Sequence, residues 1–261
     1  MIIVLLDQLD HRVAIVTGSG SGIGAAAARL LAEQGLRVAL VGRRAEPLAS
    51  VASQIETAGG VALVVPADLA ERDAPAAIVA TVAERFGGVD VLVNNAASFA
   101  LKPFAEFTVE DFDDHVAVNV RAAYFLVLEA LPYLQRSDAP AVVNVSSAAA
   151  VMYRPRQSVY GLTKAALEHL TKQLAAELAP DGIRVNGVRP GPTETPIHTR
   201  AVPDPEARLA ELGRLVPLGR VGRPDEVAWW IARLVDREAE WVTGTVISVD
   251  GGRVLGPPET S

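Results

Sequence analysis

Tyr160 and Lys164 stand four residues apart in "SVYGLTK" (158–164), a spacing that stacks two side chains on one helix face. A phenol held one turn from a cation is a candidate proton donor and acceptor, because the neighbouring charge favours phenolate. On a solvated helix the same pair would do nothing chemical, so its meaning depends on the rest of the chain. Other reactive side chains are scarce. There is no cysteine, which excludes disulfides, thiolate chemistry and thiolate-bound metals. The four histidines (His11, His115, His169, His198) show no metal-ligand spacing, and no metal site is expected.

A second chemical signal lies near the start, in "VTGSGSGIGAAAARLLAEQG" (16–35). Glycines at 18, 20, 22 and 24 let a backbone turn tightly and let a phosphate approach its N–H groups, and the helix start behind them favours negative charge. They do not fit G-x-G-x-x-G, since Ile23 stands at its last glycine; they fit G-x-x-x-G-x-G through Gly18, Gly22 and Gly24. A dinucleotide site would then use Gly18, Ser19, Ser21, Gly22, Ile23 and Gly24. The next strand ends "VALVGRR", with Gly42 where a carboxylate would bind the ribose 2′-OH of NAD, followed by Arg43 and Arg44. A missing acid and added guanidiniums favour the 2′-phosphate of NADP, with NAD as the alternative.

Short β-branched runs must position these groups: 12–18, 37–42, 61–66, 89–95, 141–147, 183–188 and 245–251. They are almost continuously apolar, as strands covered on both faces are. Amphipathic stretches alternate with them near 22–35, 45–58, 73–86, 108–135, 157–179 and 224–235. The expected fold is α/β, a doubly wound, mostly parallel sheet of about seven strands with helices on both faces. The 261 residues show no linker or repeat and read as one domain, 1–261. A Pro- and Gly-rich stretch at 189–222, with a short helical pattern near 205–214, suits a lid-like insertion near 192–215. With 31 acidic against 24 basic residues the chain carries −7, which argues against a nucleic-acid or membrane-surface binder. "MIIVLLDQLD" is too short and wrongly flanked for a signal peptide, and no uncharged apolar run approaches a membrane span. A cytoplasmic protein is expected.

Taken together, "TGSGSGIG" (17–24), "NNAA" (94–97), Asn119 in "VNV", "VSS" (145–147), "YGLTK" (160–164), "RPGPTET" (189–195) and "VTGTVISVDGG" (242–252) resemble the single-domain short-chain dehydrogenases/reductases over nearly the whole chain. The resemblance implies a Rossmann fold and hydride transfer between a nicotinamide cofactor and a carbonyl carbon. Tyr160 would be the acid/base, Lys164 would lower its pKa and hold the nicotinamide ribose, and Ser147, 13 places before the tyrosine, would bond the substrate oxygen. Ser146 reads as a structural residue at the strand end. Asn119 would hold a water in a proton relay, although a polar residue in so apolar a helix also suits a bond to its own backbone. The resemblance places Asp68 and Leu69 around the adenine, Asn95 and Ala96 beside the adenosine ribose, and Pro190, Gly191, Thr193 and Thr195 at the carboxamide. Ala97 and Ala150 depart from the family, which prefers glycine at both places.

The stretch 108–135 is apolar beyond one stripe, through Phe112, Val116, Val118, Val120, Ala122, Phe125, Leu128, Leu131 and Leu134. Helix 157–179 carries a stripe at Leu162, Ala166, Leu170, Leu174 and Leu178, with Leu167 off it. Either surplus could serve a thick monomer core or a partner surface. By resemblance these two helices pair with their copies, so a homodimer or homotetramer is expected. The substrate is expected to be a small carbonyl or alcohol, a thioester being one version, in a pocket lined by Phe99, 148–157 and the insertion. Within that loop Arg154 and Arg156 could face an anionic group or only solvent. Gln157 also occurs in 3-oxoacyl-carrier-protein reductases. A small-ketone, sugar or polyketide-type reductase is the other version. The alternative of another class is a dinucleotide-binding sensor that has lost the chemistry, and an epimerase or dehydratase would need different glycine spacing and a larger C-terminal part.

Overall fold

The β-branched runs each become one strand of a single parallel sheet: β1 (Val13–Thr17), β2 (Arg37–Gly42), β3 (Val61–Pro66), β4 (Val91–Asn94), β5 (Ala141–Val145), β6 (Arg184–Pro190) and β7 (Val246–Val249). The computed structural model describes residues 12–200 and 202–257; the N-terminal segment weighed as a signal peptide, and His11 with it, lie outside the described residues. The strand order is β3-β2-β1-β4-β5-β6-β7. The chain therefore winds outward from β1 to β3, then restarts on the other side of β1 at β4. That reversal opens a crevice at the carboxyl ends of β1 and β4, where such sheets hold their ligands.

Alternation of side chains along the strands builds two cores. Ala14 and Val16 of β1 face one, with α1 (Gly22–Glu33), α2 (Ala45–Thr57) and α9 (Pro224–Val235) over them. Val13 and Ile15 face the other, covered by α3 (Ala74–Phe86) and, beyond α4 (Val109–Val116), by α5 (Ala122–Leu134) and α6 (Ser158–Leu178). The insertion carries α7 (Pro196–Thr199) and α8 (Pro205–Gly213), the latter on the helical pattern expected near 205–214.

The stretch 108–135 is not one regular helix. Thr108 caps α4 reciprocally, its Oγ1 accepting from the Asp111 N–H at 3.2 Å while the Asp111 carboxylate accepts from the Thr108 N–H at 3.0 Å. Between α4 and α5 the backbone widens into a π-helical turn, Ala117–Arg121, in which the Ala122 N–H reaches back to the Ala117 carbonyl. Val109–Leu134 is the one stretch among the described residues with the length and mean hydropathy of a membrane span, yet Leu126, Ala130 and Leu134 pack into the sheet's core. Its outer face is open, with Phe112, Tyr124, Phe125 and Leu128 exposed. The apolar surplus is thus on the surface and not in a thick core.

On α6 the stripe divides, with Leu174 buried and Leu170 and Leu178 packed against the core. Leu162 is 53% exposed, whereas Leu167 is buried beside Tyr160, Thr163, Lys164, Glu168 and Thr171. The polar residues take the inner face because the strand ends they pack against offer them partners.

Candidate active site

The turn leaving β1 is tied across the end of β2: the N–H groups of Gly18 and Ser19 donate to the Val41 carbonyl at 2.8 and 3.3 Å. Gly18 and Gly22 take φ of +67° and +56°, where other residues are strained. A Cβ on Gly22 would stand 2.9 Å from Thr195 Cγ2, and one on Gly24 2.5 Å from the Gly18 carbonyl oxygen. Ser21 caps α1 without a side-chain hydrogen bond, and no acid occupies the first turn. The leading N–H groups of this helix, with half-buried Ile23 among its first residues, face an uncapped, glycine-lined hollow suited to an anion such as a dinucleotide pyrophosphate. At the β2–α2 corner Arg43 and Arg44 are exposed, and neither forms a hydrogen bond or ion pair among the described residues.

The neighbouring strand ends complete this rim. After β3 the Asp68 carboxylate accepts from the Ala70 N–H at 2.9 Å, shaping a turn whose Leu69 is buried. Arg121 ties that turn to the π-helical one through the Ala70 carbonyl. After β4 the Asn95 amide donates to the Thr17 carbonyl at 2.8 Å, and the N–H groups of Asn95 and Ala96 donate to Thr17 Oγ1 at 2.9 and 3.0 Å. Asn95 thus clamps β4 to the glycine-rich turn. After β6, Pro190 leads to Gly191, where a Cβ would lie 2.8 Å from the Asp250 backbone. Thr193 and Thr195 then form successive hydroxyl turns, with Thr193 buried.

Tyr160, Lys164 and Ser147 come together at the end of β5. Ser147 opens a short 3-10 turn (Ala148–Ala150), its hydroxyl accepting from the Ala149 N–H at 3.2 Å. That turn lies so close to α6 that a Cβ on Gly161 would be 2.9 Å from the Ala149 carbonyl, which explains the glycine beside the tyrosine. Tyr160 is buried and meets the edge of Phe99 at 4.9 Å between ring centroids. Burial pushes its phenol up to about 12, and the Ser147 hydroxyl draws it partly back. Lys164 has its Nζ 5.8 Å from the Tyr160 ring centroid and donates to the Val145 carbonyl at 2.8 Å. Burial draws its ammonium down to about 8. Burial is thus the leading influence on the phenol and the Ser147 hydroxyl the opposing one.

Asn119 sits in the π-helical turn and does not bond its own backbone. Its amide accepts from the Ser98 N–H at 2.7 Å and donates to the Ser98 carbonyl at 3.0 Å and to Thr163 Oγ1 at 2.9 Å. It thereby joins the loop carrying Phe99 to the helix carrying Tyr160.

Glu168, Arg189 and Ser248, of which Glu168 is buried, were not among the residues singled out from the sequence. Glu168 binds Arg189 through two bonds of 2.7 and 2.6 Å, accepts from Ser146 Oγ at 2.8 Å, and Arg189 continues to Ser248 Oγ at 2.9 Å. The pair raises the Arg189 guanidinium further above its ordinary value. This chain fastens α6 to β5, β6 and β7 directly behind Lys164 and Pro190. Its signal was the spacing: Glu168 lies four residues past Lys164 on the same face. Ser146 is structural, as its place suggested.

Residues 18–253 match the family model described as Enoyl-(Acyl carrier protein) reductase. The chain is 37% identical to 3beta-hydroxysteroid dehydrogenase 1 of Eggerthella lenta, over 97% of each protein. It is 36% identical to the 3-oxoacyl-[acyl-carrier-protein] reductase FabG of Thermotoga maritima, over 95% of this chain and all (100%) of that one. The short-chain dehydrogenase/reductase of Serratia marcescens BCRC 10948 superposes with a TM-score of 0.88 at 36% identity, covering 95% of this chain and 99% of that one. With likeness running through nearly its full length, and a tyrosine, lysine and serine gathered at the rim of a seven-stranded parallel sheet, this chain belongs to the short-chain dehydrogenases/reductases, oxidoreductases that act on alcohols and ketones with a nicotinamide cofactor.

Proposed function

We propose that the protein is an NADP(H)-dependent oxidoreductase that interconverts a ketone and a secondary alcohol, with Tyr160 as the acid and base. The observation that carries this reading is the buried phenol of Tyr160 beside Ser147 and Lys164 at the crevice of the sheet. When bound, the nicotinamide cofactor supplies or accepts the hydride. Tyr160 then gives its proton to the oxygen on which negative charge develops, and the Ser147 hydroxyl steadies that oxygen. In the reverse direction the phenol must lose its proton first, helped by Lys164 below it and by the positive charge of the oxidised cofactor. Both N–H donors of the Asn119 amide are engaged and its oxygen already accepts one bond, so a relay water beside it would donate, to the second lone pair of that oxygen or to the main-chain carbonyl.

Three further features refine the reading. Preference for NADP(H) rests on Gly42 in the acid's place and on the exposed, unpaired Arg43 and Arg44. Assembly into a homodimer or homotetramer rests on the exposed apolar faces of α4, α5 and α6, where Leu128 is 48% and Leu162 53% accessible. A lid formed by α7 and α8 is supported by the approach of Thr195 to Gly22 at the entrance to that insertion. The named relatives act on a steroid and a thioester, so both a bulky ketone and a 3-oxoacyl thioester belong in the first assay. NADPH and NADH consumption over such a carbonyl panel should show turnover in the parent protein and a loss of roughly a hundred- to ten-thousand-fold in Tyr160→Phe. Near-parental turnover in that variant would overturn the assignment.

A further inference from the structure

Three side chains from three other segments lie within charge–charge range of Arg154. Arg154 lies in the loop between Ser147 and Tyr160, His198 on α7 three residues past Thr195, Arg208 on α8, and Arg253 in the turn after Asp250. Two close approaches hold these segments against the site: Gly22 against Thr195, and Gly191 against the Asp250 backbone. Arg154 is half-buried and within charge–charge range of Arg208 and Arg253, with Glu211 the one acid acting on it. His198, also half-buried, lies within range of Arg154 and Arg208. Its imidazole is drawn down to about 4, by burial first and by the two guanidiniums second, so near neutral pH it carries no charge and offers a ring N–H.

The charges in this cluster do not balance. Glu211 is taken by Arg208 at 2.6 Å. Arg154 has no hydrogen bond or ion pair among the described residues, and the Arg253 Nε is buried without a partner. Drawing guanidiniums together, partly out of water and with one shared carboxylate, costs stability. The cost falls in a chain whose net charge is −7, so it does not reflect a general excess of basic residues. Cations left short of counter-charge beside a reaction site are arranged for an anion that arrives with the substrate. On the reading above, the cofactor's own phosphates would be held by the α1 terminus and Arg43.

The geometry points to a binding site for an oxyanion, a carboxylate or phosphate carried by the carbonyl substrate away from its reacting C=O, held by Arg154 and Arg253 with Arg208 and His198 alongside. This rests on the oxidoreductase reading only for what the substrate's other end does. Arg156, the second arginine of the loop, is exposed and at φ +67°, and takes no part.

The test is a homologous series of methyl-ketone acids, each paired with its methyl ester, together with a 3-oxobutanoyl thioester carried on phosphopantetheine and on N-acetylcysteamine. At the best chain length the parent should favour the acid over its ester by about tenfold or more in kcat/KM. A phosphate-bearing substrate would appear instead as the same preference for phosphopantetheine over N-acetylcysteamine. Arg154→Gln and Arg253→Gln should each collapse that preference by a similar factor. Equal turnover of charged and neutral partners throughout, or a preference unchanged in both variants, overturns the proposal. Calorimetric titration of the same acids into the protein with NADP separates the two readings: Arg154-dependent binding without any turnover upholds the anion site and refutes the reductase, and absence of both refutes the anion site.

Discussion

Glu168→Gln removes one charge from a shielded pair while leaving the side chain nearly the same size. Glu168 accepts from Arg189 on both oxygens, at 2.7 and 2.6 Å, with the partners' side chains only 11% and 17% exposed. In the variant the amide oxygen can still accept from Arg189 Nε and Ser146, but the amide NH₂ faces the second Arg189 nitrogen, donor against donor. One charge-assisted bond is lost and a guanidinium is left half-compensated, which costs about 2–4 kcal/mol. For a chain of this size that is a fall in Tm of roughly 5–15 °C. The assay is thermal unfolding followed by circular dichroism at one protein concentration, without cofactor. The double variant Glu168→Met/Arg189→Met leaves no charge to strand and should regain at least half of the loss. A drop below about 2 °C in Glu168→Gln, or a double variant no better than the single one, would refute the reasoning.

Other substitutions probe the rest of the site. Gly24→Ala places a methyl against the Gly18 carbonyl and Asn95, so it should destabilise by about 1–3 kcal/mol and weaken dinucleotide binding; calorimetry matching the parent would sink the cradle. Arg43→Ala should raise the Kd for NADPH about tenfold and barely change that for NADH, and equal losses would show that it does not read the 2′-phosphate. Lys164 falls from 10.5 to about 8 on burial, so the unfolded chain binds the extra proton between those values and stability should rise from pH 8 to pH 10.5. Tyr160 acts oppositely, its support being complete below pH 10.0 and lost toward about 12. Urea midpoints near pH 8 and pH 10 should therefore climb less in Lys164→Met than in the parent, and equal climbs would contradict the buried-lysine account.

The strands were legible because parallel strands covered on both faces leave unbroken Val- and Ile-rich runs, and each run fell on its strand within a few residues. Tyr160 and Lys164 were legible through spacing, since a helix turn fixes where such residues point, and Ser147 through the family resemblance. The faces of α6 were not. Its hydrophobic stripe left open whether Leu162 faced the core or a partner, and did not show that the inner face also holds Lys164, Glu168 and Thr171, whose partners lie on β5 and β6. The burial of Tyr160 and Lys164 was hidden for a similar reason: a spacing reveals the cation but not the depth at which both groups are buried. The nearness of Arg154 to Arg253 joins residues far apart in the chain, and only Arg154 stood out, through the loop that carries it.

The π-helical turn at Ala117–Arg121 has a further implication for how this helix evolved and how it can be altered. One residue more than a regular helix would carry between α4 and α5 shifts the phase of everything on one side by about 100°. That shift lets α5 present Leu126 and Leu134 to the sheet while Asn119, at the widened point, reaches Ser98 and Thr163. Deleting Val118 would produce a more regular and intrinsically better helix, yet it would swing α4 around its axis and break the link between the Phe99 loop and the Tyr160 helix. The irregularity works as a phase adjuster, and a sequence comparison that treats it as a surplus residue to be closed up would align the two halves of this helix out of step with their functions.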